Sequence, residues 1–437
     1  MMNAEVLPIR TPAETGLAQE FDRYFRSFVT DKAELALREE ALGQFLKLGL
    51  PTRRNESWKY TDLRVALKTA IPVEPPADAA ASPEVDLFEG VQRHRLRITR
   101  DFAGVDEPVT ADGGEKVRVA PIVFRSPANL AVLRETGPGN GDPLVALNTA
   151  MALGGVEIEV PAGAKVTLPL HLDHALFAAS PYYAMPRSVI RIGAGAEVSL
   201  LQSFSGSVGI GYRTNAVTQL VIGDGAKVDL TIVQNEPSDV VHVSSLIASL
   251  GAEASLDVVT VNTGASLARS QLFLTFAGKN AKTNLQGISL VGGQRHLDTT
   301  LVVDHTAPGG VSRELFKAAL DGDGKSVFQG KIVVKQAAQK TDGKMMSRCL
   351  LLSDGAEAYN KPELEIFADD VVCGHGTTCG ALDEELLFYC KARGIPQAEA
   401  ESLLLHAFLG EVTDAIGNEG VHAAVTDLTE RWLIERA

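Results

Sequence analysis

Gly163-Ala164-Lys165-Val166, Gly195-Ala196-Glu197-Val198 and Gly225-Ala226-Lys227-Val228 are three near-copies of one tetrapeptide, and a looser fourth, Gly251-Ala252-Glu253-Ala254, follows them. The Gly-to-Gly steps are 32, 30 and 26, and Gly324 to Gly355 is a further step of 31. Between the copies, from about residue 120 onward, short runs alternate apolar and polar, as in Val156-Glu157-Ile158-Glu159-Val160 and Val198-Ser199-Leu200. Alternation is the period of a strand, and a Gly-Ala pair leading into a β-branched residue is turn chemistry. A period near 30 that carries both is the mark of a solenoid. One coil cannot bury its own apolar face, so coils stack and their interiors join into aliphatic ladders. The composition fits such thin layers, with aromatics at only 6% and 40 glycines in 437 residues. The fold class expected is mainly β, a parallel β-helix. The competing architecture is a β-sandwich with similar hairpin turns.

Helices bracket the repeat. Thr11-Pro12-Ala13-Glu14 has a capping residue, Pro in the first turn and Glu at the third position, which together start a helix. Phe21, Tyr24, Phe25 and Phe28 then recur at helical spacing and make one apolar face. Asp31 caps a second helix that runs to Leu48 and stops at Gly49 and Pro51. Residues 70–85, AIPVEPPADAAASPEV, lack periodicity and read as a linker or long surface connection. Past Gly380, Asp383-Glu384-Glu385 opens a helix through Leu386, Leu387, Phe388 and Tyr389, Pro396 begins another, and a last one carries Leu428, Trp432 and Leu433. The division expected is 1–119 helical and mixed, 120–378 β-helix, and 379–437 helical. A C-terminal unit this small is expected to dock on something.

Charge and signals narrow the function. Asp plus Glu number 55 against 41 Lys plus Arg, a net charge of −14, which argues against nucleic acid as a partner. Met1 to Arg10 shows no secretory signal, Glu5, Glu14 and Glu20 argue against a transit peptide, and no apolar run approaches membrane-spanning length. A soluble, cytoplasmic protein is expected. Four cysteines, at 349, 373, 379 and 390, make no disulfide framework.

The segment richest in chemistry is Asp369-Asp370-Val371-Val372-Cys373-Gly374-His375-Gly376-Thr377-Thr378-Cys379-Gly380. On a strand, Cys373 and His375 project from one face and offer a thiolate and an imidazole to zinc, iron or copper. Two ligands do not close a site. Cys379 and Cys390 are doubtful contributors, since a helix start intervenes, and another subunit is the alternative source. The plain reading is a buried Cys beside a hydrogen-bonded His. His171-Leu172-Asp173-His174, His296-Leu297-Asp298 and Asp304-His305 are weaker pairs, each a metal fragment, a dyad or a hydrogen-bonded strand pair. Nucleotide and nucleophile motifs are absent: Gly322-Asp323-Gly324-Lys325-Ser326 imitates the end of a P-loop, but position 319 holds Ala, and no nucleophile elbow occurs.

From His296 to Gly394 the chain resembles the SufB/SufD family of iron–sulfur cluster assembly scaffolds, most of all its SufD branch. The residues that carry the likeness are His296-x-Asp298, Asp304-His305, Pro308, Ser312, Phe316-Lys317, Val327-Phe328-x-Gly330-x-Ile332-x-Val334, Gln339-x-Thr341, Leu351-Leu352-Ser353, Lys361-Pro362-x-Leu364-Glu365-Ile366 and Asp369-Asp370-Val371-x-Cys373-x-His375-Gly376. Arg54-Asn55-Glu56-Ser57-Trp58-Lys59-Tyr60-Thr61 resembles the family's other short signature. SufB-like chains follow the matching His with Glu, where this chain has Gly376, and carry a key Cys where this chain has Ser347, with Cys349 two places away. The resemblance implies a right-handed parallel β-helix between helical ends. It implies pairing with SufB through the β-helices, or with a second copy when alone. It implies one SufC ATPase held by the C-terminal helices, so that no nucleotide binds this chain. It also implies a transient nascent iron–sulfur cluster shared with SufB, toward which His375, and with it Cys373, would be directed. On that reading the chain is a scaffold and not an enzyme. A β-helix lyase or acyltransferase, and a passive metal-binding interaction protein, are the alternatives. The first would need export, the second a six-residue period, and the third leaves the long signature without a reason.

Overall fold

The computed structural model describes residues 10–73, 86–98, 102–105 and 108–435. Most of the Pro/Ala-rich stretch 70–85, and the N-terminal stretch 1–9, lie outside the described residues. The centre of the molecule is a parallel β-solenoid of about 8 turns. Its strands alternate along the chain between two long sheets, so from Arg213–Ile222 onward each pairs with the strand two places before it and, until the sheets end, with the strand two places after it. Lys227–Gln234, for example, lies parallel to Glu197–Gly206 on one side and Ser255–Asn262 on the other. Among the described residues antiparallel pairing is confined to the N-terminal end and one small bridge, so the sandwich is excluded.

The register explains the repeat and corrects one of its steps. Gly163, Gly195 and Gly225 hold φ of +73°, +68° and +66° at the same corner of successive coils. The pairing of Lys227 with Ser255 puts Glu253, not Gly251, at that corner, with φ +58°. Asn280, Gly309 and Lys340 continue the row. The coil that starts at Gly225 therefore closes at Glu253, two places beyond the glycine that the tetrapeptide pattern picked out. The pair Gly324 and Gly355 is likewise one place out of register, since Lys325 pairs with Glu357. The alanine after each corner (Ala164, Ala196, Ala226, Ala254, Ala281) is fully buried. A larger side chain there would meet its copies in the coils above and below.

Among the described residues, eight α-helices surround the solenoid. They are Pro12–Phe28 (α1), Lys32–Leu48 (α2), Leu63–Ala66 (α3), Pro127–Arg134 (α4), Pro143–Met151 (α5), Glu384–Lys391 (α6), Gln397–Thr413 (α7) and Glu419–Glu435 (α8). The capping box at Thr11 and Glu14 forms as expected, and Asp31 caps α2. Phe21 and Phe25 are buried, whereas Phe28, at the helix end, is exposed. Helices α4 and α5 interrupt the stretch that apolar alternation assigned to strands from about residue 120. Each opens on a side-chain cap followed by Pro, Ser126-Pro127 and Asp142-Pro143.

Helices α1 and α2, with α5, cover the outer side of one sheet, burying Tyr183, Met185 and Val243. The segment around Trp58 anchors this layer. Arg269, fully buried on the solenoid, lies 3.8 Å over the Trp58 ring, donates to the Ser57 carbonyl at 2.7 Å and pairs with Asp298 at 2.5 Å. Helices α7 and α8 cover the outer side of the other sheet, against Leu201, Val233, Val259, Ile288 and Leu290. Lys317, on a solenoid strand, fastens α7 by bonding the Phe408 carbonyl and Glu411. Helix α6 buries no residue at all.

Candidate functional site

Two interior ladders run the length of the solenoid and change character at its C-terminal end. The first passes through Leu170, Leu200, Leu230, Val258 and Leu285, and then through Glu314, Met345 and His375. The second passes through Val166, Val198, Val228 and Leu256, and then through Thr283, Ser312, Gly343 and Cys373. The unbroken aliphatic rungs thus give way, over the last coils, to a mixed series in which Glu314, Ser312, Cys373 and His375 alternate with Met345 and Gly343. The final rungs lie on Val372–Gly380, the last strand of its sheet, which has a neighbour on one edge only. Cys373 and His375 share the inward face of that strand, and Cys373 packs partly on the main core. His375 is exposed because no further coil covers it.

An open cleft of about 480 Å³ lies here, and its walls include Glu314, Met345, Arg348, Cys373, His375 and, from α7, Glu411. Glu314 was not singled out from the sequence. It is 2% exposed, and neither of its carboxylate oxygens has a well-formed hydrogen bond among the described residues. Burial pushes its carboxyl up to about 8, against weaker pulls from Ser312 and Arg313, so near neutral pH it is largely an uncharged acid. Burial also raises the Cys373 thiol; a backbone hydrogen bond from Gly343 opposes this, and the charges of Asp342 and Glu314 add to it. Cys373 is therefore a thiol whose proton a metal ion would have to displace. The sequence signal for Glu314 was the period itself: counting back from His375 by one coil and then by another reaches Met345 and Glu314.

The other expected ligands fall elsewhere. Cys379 is on the same inward face but six residues along the strand, about 20 Å from Cys373. Cys390 is on α6. Cys349 is beside Cys379, while position 347, where SufB-like chains carry Cys, is a serine bonded to Asn360 at 2.7 Å. Among the described residues no three His, Cys, Asp or Glu side chains are gathered closely enough to hold a metal ion.

The weaker His pairs hold the structure together. Thr61 donates to Asp298 and lies 2.9 Å from His296 Nε2, so His296-x-Asp298 and the Trp58 segment are two halves of one buried joint. His171 lies 2.7 Å from Ser203 Oγ, and Asp173 receives Arg95 at 2.6 Å. His305 stacks on Phe276 at 4.1 Å and reaches Ser312. The P-loop look-alike is a turn between two strands, with Lys325 paired to Glu357 at 3.0 Å.

Residues 176–408 match the family model described as SUF system FeS cluster assembly, SufBD core domain. The chain is similar to the iron–sulfur cluster assembly protein SufD of Escherichia coli, 27% identical over 422 residues that cover 95% of this chain and 96% of that protein. A SufBD family protein of Synechocystis is 29% identical over 400 residues, 87% of this chain and 86% of its own length. The chloroplastic protein ABCI7 of Arabidopsis thaliana is 30% identical over 292 residues, 64% of this chain and 61% of its own length. No described helix is long and apolar enough to cross a membrane. A family match that covers the solenoid from Leu176 onward and continues into α7 makes this chain a member of the SufBD family of the SUF system for iron–sulfur cluster assembly, similar to SufD.

Proposed function

We propose that this chain is the SufD-like scaffold subunit of a cytoplasmic complex with a SufB-type sister and SufC ATPase subunits. In this reading it contributes His375, with Cys373 beside it, to a nascent iron–sulfur cluster built at the junction with the sister chain. The observation that carries the reading is the place of these two side chains, on the inward face of the last strand of an open-ended solenoid, with Glu314 buried two rungs below His375. Two donors cannot complete a coordination shell, and a second chain seated on the open end would bring the missing thiolate. Neutral imidazole is a good iron ligand. The chain would act by holding and shaping, with no reaction of its own, and would form a homodimer when expressed alone. We propose the same three-part division, 1–119, 120–378 and 379–437, for its working units. SufC would sit on the C-terminal helices, where Leu386, Phe388, Tyr389 and Leu403 stand exposed.

The test is co-expression with the SufB-type and SufC chains, purification, and anaerobic reconstitution. His375→Ala is expected to leave complex assembly intact and to abolish the visible cluster absorption together with bound iron and sulfide. Cys373→Ala is expected to lose less. Wild-type cluster content in His375→Ala would reduce this chain to a shape-giving partner.

A further inference from the structure

Cys349 and Cys379 are register partners on neighbouring parallel strands, Asp342–Leu351 and Val372–Gly380, with both side chains on the inward face. Neighbouring strands run about 4.8 Å apart, inside the span of about 4.4–6.8 Å between the Cα atoms of a disulfide. The pair differs in access, since Cys379 is exposed and Cys349 is buried beneath it. Asn360, from the opposite sheet, fixes the Cys349 sulfur, with its amide nitrogen 3.5 Å from Sγ. The remaining thiols have no such neighbour: Cys373 faces Gly343 across the strands, and Cys390 is on α6.

We infer that Cys349 and Cys379 are a peroxide-sensitive dithiol that closes to a reversible disulfide, clipping the last strand of the solenoid to its neighbour. Cys379 reacts first because it is the accessible thiol. Burial raises the Cys349 thiol to about 11, opposed by hydrogen bonds from Asn360 and Ser347, so Cys349 resolves rather than attacks the oxidant. The Cys379 thiolate takes one oxygen of hydrogen peroxide. The O–O bond breaks, sulfur is oxidised to the sulfenic acid, and hydroxide leaves. The Cys349 sulfur then attacks the Cys379 sulfur. The S–S bond forms, and the sulfenic hydroxyl departs as water with the Cys349 proton. The clip holds in place the strand that carries Cys373 and His375, which has no neighbour on its outer edge. This inference rests on the strand register and on the unequal burial of the two thiols, and is independent of the cluster reading.

The reduced full-length protein is treated with hydrogen peroxide in its native state, then denatured in alkylating reagent, digested and mapped by mass spectrometry. The expected dominant product is a Cys349–Cys379 linked peptide, at least about tenfold over any other pairing, with the other two of the four cysteines still alkylated. It should revert with dithiol reductant, vanish in Cys379→Ser, and persist in the Cys373→Ser/Cys390→Ser double variant. Hydrogen exchange over residues 372–380 should slow on oxidation. A dominant link through Cys373 or Cys390 would overturn the inference, as would Cys379 found as sulfinic acid with Cys349 fully alkylated. Unchanged exchange over 372–380 would remove the clip.

Discussion

Among the described residues, His174, His171 and His305 are the imidazoles that burial pushes furthest toward the uncharged form. His174 stacks on Phe204 at 4.4 Å, its Nδ1 has no hydrogen-bond partner among the described residues, and burial lowers it to about 3. His171 is held at about 3 by burial and by the charges of Arg93 and Arg95, and His305 at about 4 by burial. All three sit below the ordinary value near 6.5, so between there and the folded value the unfolded chain binds protons that the folded chain refuses. Their contribution to stability is complete above pH ~6.5 and is lost as the pH falls toward 3–4. One such group costs at most about 2 kcal/mol between pH 6.5 and 5. His174→Phe keeps the stacking volume and removes the titration. Denaturation midpoints at pH 7.5 and 5 should therefore show the variant losing about 2 kcal/mol less on acidification than the wild type; equal losses would show that His174 titrates normally. The Arg269–Asp298 joint gives a second residue-scale expectation. Asp298→Ala leaves a fully buried guanidinium unpaired and should cost about 3–5 kcal/mol, with protease cleavage rising first in residues 10–73. The His-x-Asp spacing marked this place in the sequence. Its role was hidden because the other half of the joint, Ser57 to Thr61, lies in a distant part of the chain that only the fold brings near.

At the scale of elements, glycine serves two separate purposes here. Gly225 has φ +66° and open space around its missing Cβ, so Gly225→Ala should cost only the left-handed penalty of about 1–2 kcal/mol. Gly278 has an ordinary φ, but a Cβ there would lie 1.9 Å from the backbone nitrogen of Ala252 in the preceding coil. Gly278→Ala therefore has to push two coils apart, and urea titration should show a loss well above that of Gly225→Ala, of about 3 kcal/mol or more. A larger loss in Gly225→Ala would reverse this assignment of roles. The same distinction sets how much of the solenoid was readable. Corner glycines announce themselves by their spacing, which is why the coil and its period could be seen. Where Glu253, Asn280 and Lys340 take the corner, the mark disappears, and the step after Gly225 is read to the wrong residue. Helices α4 and α5 open on the cap-and-proline pairs Ser126-Pro127 and Asp142-Pro143, a local signal that the reading by strand alternation from about residue 120 did not use. Cys373 and His375 were legible because alternation along one strand needs no tertiary knowledge, whereas Glu314 needed the register.

For the whole molecule the question is which surfaces are spoken for. The outer side of one sheet is taken by α7 and α8, so deleting residues 380–437 would uncover Leu201, Val233, Val259, Ile288 and Leu290 together. A contiguous apolar face of that kind drives aggregation, and loss of SufC capture by the truncated chain would then have two explanations. Helix α6 separates them. It buries nothing, and Phe388, Tyr389 and Leu386 are 72%, 55% and 50% exposed. Substituting an exposed side chain costs little stability, whereas an apolar anchor in an interface is worth about 2 kcal/mol or more. The double variant Leu386→Asp/Phe388→Asp should therefore unfold within about 1 kcal/mol of the wild type. It should also keep the pairing proposed above with a SufB-type chain. Its capture of SufC should weaken by at least about thirtyfold, the equivalent of about 2 kcal/mol. Titration of labelled SufC against both proteins, with thermal unfolding alongside, measures the two quantities separately. Undiminished capture by a folded double variant would move the docking surface off α6 and onto the exposed side of α7, where Leu403 becomes the next residue to change.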